Sequence, residues 1–238
     1  MNQFIARTVT GIILGTLIVS AFYFLSPFQL SILIACIYGY AFIFEFIPLA
    51  MQSKHTAPLA TIVAGIGFVL TGILHTFLAV SAKNHEFLSF FIVTAVLSDS
   101  SGYIVGSLIG KHPLAPTISP KKTWEGFMGS IGLTAIIECL IAKAYLTGQL
   151  AFSSNPGNPY AGLGYILLIF FFLIAAFLAL AGIVGDLLFS YLKRAAGVKD
   201  TGTILPGHGG MLDRIDSIVG VTIGSIPLFL IYLLLLSK

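Results

Sequence analysis

Residues 163–194 read LGYILLIFFFLIAAFLALAGIVGDLLFSYLKR. The first 23 of these, 163–185, carry no charge, and about 20 predominantly apolar residues suffice for a helix to cross a bilayer. The pattern breaks at Asp186. If the helix continues as it leaves the membrane, Asp186, Ser190 and Lys193 fall at i, i+4 and i+7, with Arg194 beside them. That spacing sets a carboxylate, a hydroxyl and two cations on one face. A plainer reading of the same residues is a helix end with snorkelling bases.

The rest of the chain agrees with a membrane reading. Of 238 residues, 57% are apolar and 9% charged, and the mean hydropathy is +1.01. A soluble domain of this size would carry roughly 25% charged residues. The net charge of +3 is modest, and no basic tail or patch suggests a nucleic-acid partner. Cys36 and Cys139 sit far apart inside apolar runs and read as small buried hydrophobes. The first run leads directly into another span without a clear cleavage site, so it reads as an uncleaved helix.

Spans are expected at 8–25, 28–50, 59–80, 87–110, 126–146, 163–185 and 217–237. The 59–80 and 87–110 runs contain Gly and polar interruptions, so a broken or re-entrant segment is an option for each. With the N-terminus inside, the cytoplasmic side collects Arg7, Lys54, Lys111, Lys121, Lys122, Lys193, Arg194, Lys199 and Arg214, against Lys83, Lys143 and Lys238 outside. This bias orients the chain. It puts 111–125 and 186–216 on one face and the charge-free 147–162 connector on the other. The expected fold is an all-α polytopic membrane protein of about seven (six to nine) transmembrane helices, with a polar cavity facing the cytoplasm.

Polar chemistry concentrates in VKDTGTILPGHGGMLDRID, 198–216. Asp213 and Asp216 are three apart at the start of the last helix, where their carboxylates can converge. Helix capping accounts for one such aspartate, but not for the arginine between them or the glycines before them. Gly207, Gly209 and Gly210 permit positive φ and close backbone approach to phosphate, although a tight turn after Pro206 would also use them. Asp186, Asp213 and Asp216 are hard oxygen ligands, which favours Mg²⁺ with substrate phosphates completing its shell. Asp99 falls near the middle of a span, where an acid is a functional candidate by default. SPKKTWEG, 119–126, reads in isolation as positive-inside lysines, an interfacial Trp and a helix start capped by Thr123.

Together these stretches resemble the CDP-diacylglycerol synthase (phosphatidate cytidylyltransferase) family. Its signature of Ser-x-x-Lys-Arg, Lys-Asp, Pro-Gly-His-Gly-Gly and Asp-Arg-x-Asp is met by Ser190, Lys193, Arg194, Lys199, Asp200, Pro206 to Gly210, Asp213, Arg214 and Asp216. SPKKTWEG is similar to a second family segment, and GKHPL with Lys111 and the Asp99/Tyr103 pair to a third. Arg7 and the FEF around Glu45 also sit where family members carry similar residues. Where the family usually has Asn before the acid and Ala before the Tyr, this chain has Ser98 and Gly102.

The resemblance implies one integral-membrane cytidylyltransferase domain, 1–238, with N-terminal helices at 1–86 and a catalytic region at 87–238. It implies CTP and phosphatidate as substrates, CDP-diacylglycerol and pyrophosphate as products, and a cytoplasmic-membrane location with the site facing the cytosol. Asp186, Asp213 and Asp216 would bind one or two Mg²⁺, with a further monovalent ion as an option. Lys193, Arg194, Arg214, Lys121 and Lys122 would neutralise the CTP phosphates and the lipid headgroup, and His208 would orient phosphate. Ser190, Lys199, Asp200, Gly207, Gly209, Gly210 and Asp99 complete the expected substrate-binding set, and a homodimer is the assembly to test. Two rivals are a CTP-dependent kinase of an isoprenoid alcohol, which releases CDP, and a secondary transporter. A transporter is expected to bind its substrate near the midplane between repeats, and no repeat is visible here.

Overall fold

The computed structural model describes residues 3–80, 85–147, 163–205 and 209–236, with side chains described for 9–80, 88–144, 164–205 and 209–228. Helix α1 spans Gln3–Phe24 and α2 Pro27–Tyr40; a π-helical turn, Ala41–Phe46, leads without a break into α3, Ile47–Ser53. Helices α4 (Pro58–Val80) and α5 (His85–Ile109) follow, then a hairpin of β1 (Pro113–Ala115) and β2 (Ser119–Thr123). Helices α6 (Trp124–Thr147), α7 (Leu163–Ala195) and α8 (Leu212–Leu236) complete the order. Among the described residues, five helical rods are long and apolar enough to cross a membrane by length and composition. The protein is an all-α polytopic membrane protein with one small hairpin. Lys83, Lys238, most of the 147–162 connector and residues 206–208 lie outside the described residues.

Local signals set several boundaries. Ser26 accepts from the Gln29 N–H while the Gln29 side chain accepts from the Ser26 N–H, a capping box with Pro27 in the first turn. Thr123 caps α6 as expected, accepting from the Gly126 N–H at 3.1 Å. Helix α7 outlasts its apolar run by ten residues, and α8 starts five residues before its expected span. Charged residues thus ride on helical ends.

The 59–80 and 87–110 runs are not interrupted. Their polar residues bond within or between helices: Thr71 back to the Gly67 carbonyl at 2.8 Å, and Ser101 to the Leu97 carbonyl at 2.6 Å. In lipid this is how a hydroxyl is accommodated without breaking a helix.

The chain divides into two compact units: Met1–Ile92 with Val184–Ile223, and Val93–Ile183 with Gly224–Lys238. In the first, Phe42, Phe46 and Phe68 stack with centroids 5.6–6.0 Å apart, and Phe46 meets Phe189 edge-on at 6.4 Å. A buried polar chain ties three helices: Tyr38 Oη to His75 Nδ1 at 3.0 Å, and His75 Nε2 to Thr222 Oγ1 at 2.9 Å. Helix–helix association in lipid gains little from hydrophobic transfer, so close packing and such bonds hold it.

In the second unit, Ser98 and Ser130 share a 2.8 Å hydroxyl contact and Ser101 lies 3.2 Å from Thr134. One turn beyond that ladder, Thr94 donates to Glu138 Oε1.

Candidate active site

Helix α7 ends in a way that fixes what its last turn presents. Gly197 adopts φ +74°, the Gly197 N–H returns to the Arg194 carbonyl, and the Val198 N–H to the Lys193 carbonyl. This glycine-capped termination satisfies carbonyls that would otherwise be orphaned. Upstream, Gly185 lies against α8 so closely that an added Cβ would be 2.7 Å from Gly220 Cα and 2.8 Å from the Asp216 carbonyl oxygen. Only a residue without a side chain lets the two backbones meet there. The contact sets the Asp186 end of α7 beside the Asp213–Asp216 turn of α8.

Lys193 is the centre of what results. Its Nζ lies 2.6 Å from Asp213 Oδ1 and 3.8 Å from Asp216 Oδ2, with side-chain exposures of 10%, 5% and 8% for the three. Asp186 also acts on it electrostatically, while accepting from Ser190 Oγ at 3.2 Å. A buried ammonium without partners would be costly; Asp213 and Asp216, with an electrostatic contribution from Asp186, compensate. Asp213 Oδ2 receives the Thr201 N–H at 2.9 Å, the Thr201 hydroxyl at 3.1 Å and the Gly210 N–H at 2.9 Å. Burial pushes the Asp213 carboxyl up, but the Lys193 ammonium and these hydrogen bonds outweigh it and hold it below the ordinary aspartate value.

The structure adds a residue that the motif reading did not place in the site. Glu45, buried in the π-helical turn, accepts the Met211 N–H at 2.8 Å on Oε1. Its Oε2 accepts the Leu212 N–H at 2.6 Å and the Thr201 hydroxyl at 3.0 Å. It is the carboxylate that caps α8, a place where the unpaired N–H groups and the helix dipole favour an anion. A π turn shifts the side-chain register by one residue and often marks a functional site. The signal available in the sequence was a lone acid in an apolar span.

Glu45 also explains one glycine. A Cβ on Gly210 would meet Thr201 Oγ1 and lie 2.5 Å from Glu45 Oε2, so Glu45 and Thr201 leave no room for a side chain there. Gly209, at φ +82°, exchanges both backbone hydrogen bonds with Leu205 and closes the loop that precedes α8.

The remaining expected residues divide clearly. Arg194 and Arg214 are exposed, as are Lys199 and Asp200, and Arg194 Nη1 donates to the Val198 carbonyl at 3.1 Å. Gly207 and His208 lie outside the described residues. Asp99, Lys121 and Lys122 belong to the second unit. There Asp99 is on the exposed side of α5 and Lys121 is exposed on β2.

The donor set bears on the metal reading. Among the described residues no three His, Cys, Asp or Glu side chains stand at metal-ligating spacing. Asp213 and Asp216 approach the Lys193 ammonium, and Asp186 acts on it electrostatically. As hard oxygen donors they are of the type that would hold a Mg²⁺ through one or two carboxylates, with phosphate oxygens completing its shell. They do not form an all-protein cage.

Comparison with known proteins gives a consistent picture. Residues 66–236 match the profile of the cytidylyltransferase family. The chain is similar to the phosphatidate cytidylyltransferase of Mycobacterium bovis, 43% identical over 130 residues, 54% of this chain and 36% of that protein. It is similar to that of Helicobacter pylori, 35% identical over 179 residues, 74% and 58% of the two chains. A third, from Staphylococcus saprophyticus, is 39% identical over 156 residues, 66% and 53%. The matched stretch thus spans between about a third and three fifths of these relatives' own length. All the residues around Lys193 from Asp186 to Asp216 fall inside the family match, and the chain belongs to the cytidylyltransferase family.

Proposed function

We propose that this protein transfers the cytidylyl group of CTP to phosphatidate, giving CDP-diacylglycerol and pyrophosphate at the cytosolic face of the cytoplasmic membrane. The observation that carries this reading is the nearly buried ion-pair cluster of Lys193 with Asp213 and Asp216, with the half-buried Asp186 acting on the same ammonium, in a chain related to proteins named for that activity. The excess of Lys and Arg in the connectors that carry the site supports an orientation toward the cytosol.

The chemistry asks for cations and positioning more than for a base. A phosphate monoester has its second pKa at about 6, so the attacking oxygen of phosphatidate is largely anionic at neutral pH. That oxygen forms a bond to the α-phosphorus of CTP in line as the α–β bridging bond breaks, and pyrophosphate leaves with the electron pair. Lys193 would meet phosphate charge, and the exposed Arg194 and Arg214 offer two further cations. Glu45 and Thr201 hold the loop and the first turn of α8 in place, which is the positioning contribution. Asp186, Asp213 and Asp216 would hold one or two Mg²⁺, with a monovalent ion as a further option; such a cation would supply positive charge to phosphate oxygens and to the leaving pyrophosphate. Lys121, Lys122, Lys199, Asp200 and Asp99 are assigned to substrate binding, and His208 to orienting phosphate.

Purified protein in mixed micelles should release pyrophosphate only when CTP, phosphatidate and Mg²⁺ are all present. Chelation should stop release, and added Mg²⁺ should restore it. Release of CDP in place of pyrophosphate would overturn the assignment in favour of a CTP-dependent kinase.

A further inference from the structure

The connector between α5 and α6 is more ordered than a simple run of positive-inside lysines requires. It pairs Pro113 with Thr123 and Ala115 with Ser119, and Glu125 ties its base. Glu125 Oε2 accepts the Lys111 and His112 N–H groups at 3.1 and 3.2 Å, and Oε1 meets His112 Nδ1 at 2.6 Å. The Trp124 N–H closes the other side on the His112 carbonyl at 2.9 Å. Glycines clamp this base to the helices. A Cβ on Gly110 would lie 2.6 Å from Thr123 Oγ1, and one on Gly126 2.8 Å from the Gly102 carbonyl oxygen.

This architecture has an electrostatic consequence. Glu125 is the only acid between Lys111 and Gly126, and both its oxygens are engaged at the hairpin base. Lys111 and Lys121 remain exposed, with Lys122 half-buried; adjacent strand residues point to opposite faces. Trp124 is 49% exposed at the first position of a span, where an amphipathic ring settles at headgroup level. The result is a net-positive hairpin tied at its base to the two helices that flank it, beside a ring of the kind that settles at headgroup level.

We propose that this hairpin is a capture surface for the phosphomonoester headgroup of an anionic lipid, with Lys111 and Lys121 as the point charges that meet it. Basic residues at a membrane surface gain from anionic headgroups, and a monoester carries more charge than the diester of an ordinary anionic lipid. The inference rests on the functional reading above, because phosphatidate is the lipid of this class which that reaction consumes. It adds that the hairpin lysines serve the lipid and not the nucleotide.

Trp124 is the sole tryptophan, so its emission reports on the hairpin independently of turnover. Titrating the whole protein in neutral-detergent micelles with phosphatidate should shift Trp124 emission saturably. Phosphatidylglycerol should act at higher mole fraction, and phosphatidylcholine and free inorganic phosphate should have no saturable effect. Each of Lys111→Ala and Lys121→Ala should raise the half-saturating mole fraction of phosphatidate about fivefold, with an unchanged thermal midpoint because both residues are exposed.

In a turnover assay the same variants should raise the half-saturating phosphatidate and leave that for CTP unchanged. An equal response to phosphatidylcholine, an unchanged titration in both variants, or a rise confined to CTP would overturn the proposal. If wild type bound phosphatidate in this way yet released no pyrophosphate, the catalytic reading would fail while headgroup capture stood.

Discussion

Replacing Lys193 by Met is expected to abolish turnover and to destabilise the first unit severely. The substitution leaves Asp213 and Asp216, both nearly buried, without the cation they share. Removing one partner of a buried ion pair costs about 3–5 kcal/mol, because the remaining charge is stranded. The loss in rate should be at least about 100-fold, the scale seen when a preorganised electrostatic group is removed. Combining Lys193→Met with Asp213→Asn separates the two effects. The double variant should regain much of the thermal stability, since fewer charges are stranded, and none of the activity. A Lys193→Met protein that melts like wild type and still turns over would remove the cluster from the account.

Glu45→Ala carries the second large expectation. It strands the Met211 and Leu212 N–H groups at the start of α8 and removes an acceptor of the Thr201 hydroxyl. Each buried donor left unsatisfied costs about 1–3 kcal/mol. The loop carrying Gly209, Gly210 and Asp213 then loses its anchor, so kcat should fall by about 100-fold, the scale for misplacing a catalytic group by an ångström. The KM for CTP should change much less. Glu45→Gln should restore part of kcat, because its carbonyl oxygen still accepts one of the two N–H bonds. Glu45→Ala and Glu45→Gln variants with equal kcat would reduce Glu45 to a bystander.

The two elements of this site were unequally legible. Asp186, Lys193, Asp213 and Asp216 announced themselves because helical spacing and an apolar background make clustered charges conspicuous. Glu45 did not, because its partners are backbone N–H groups more than 160 residues away in sequence and backbone donors leave no mark in a sequence. The π turn that presents it is equally silent. Asp213 reads as a cation ligand from its spacing, its hard oxygens and the family resemblance; in the structure it is a partner of Lys193 and of the loop N–H groups. SPKKTWEG was legible as a capped helix start but not as the second strand of a hairpin. Three- and five-residue strands are too short to display a period, and their order comes from Glu125 gripping the opposite end. Conversely, the glycines and hydroxyls of 59–80 and 87–110 suggested breaks because their partners on facing helices were unseen.

Positional labelling tests the central claim most directly. The reconstituted protein is given phosphatidate, Mg²⁺ and CTP labelled separately at the α- and γ-phosphorus, and lipid and aqueous products are counted. Cytidylyl transfer predicts that the α-label enters the lipid, the γ-label leaves as pyrophosphate in equal amount, and both vanish in Asp216→Ala protein that still inserts. Appearance of the γ-label in the lipid, with the α-label left in CDP, would contradict it.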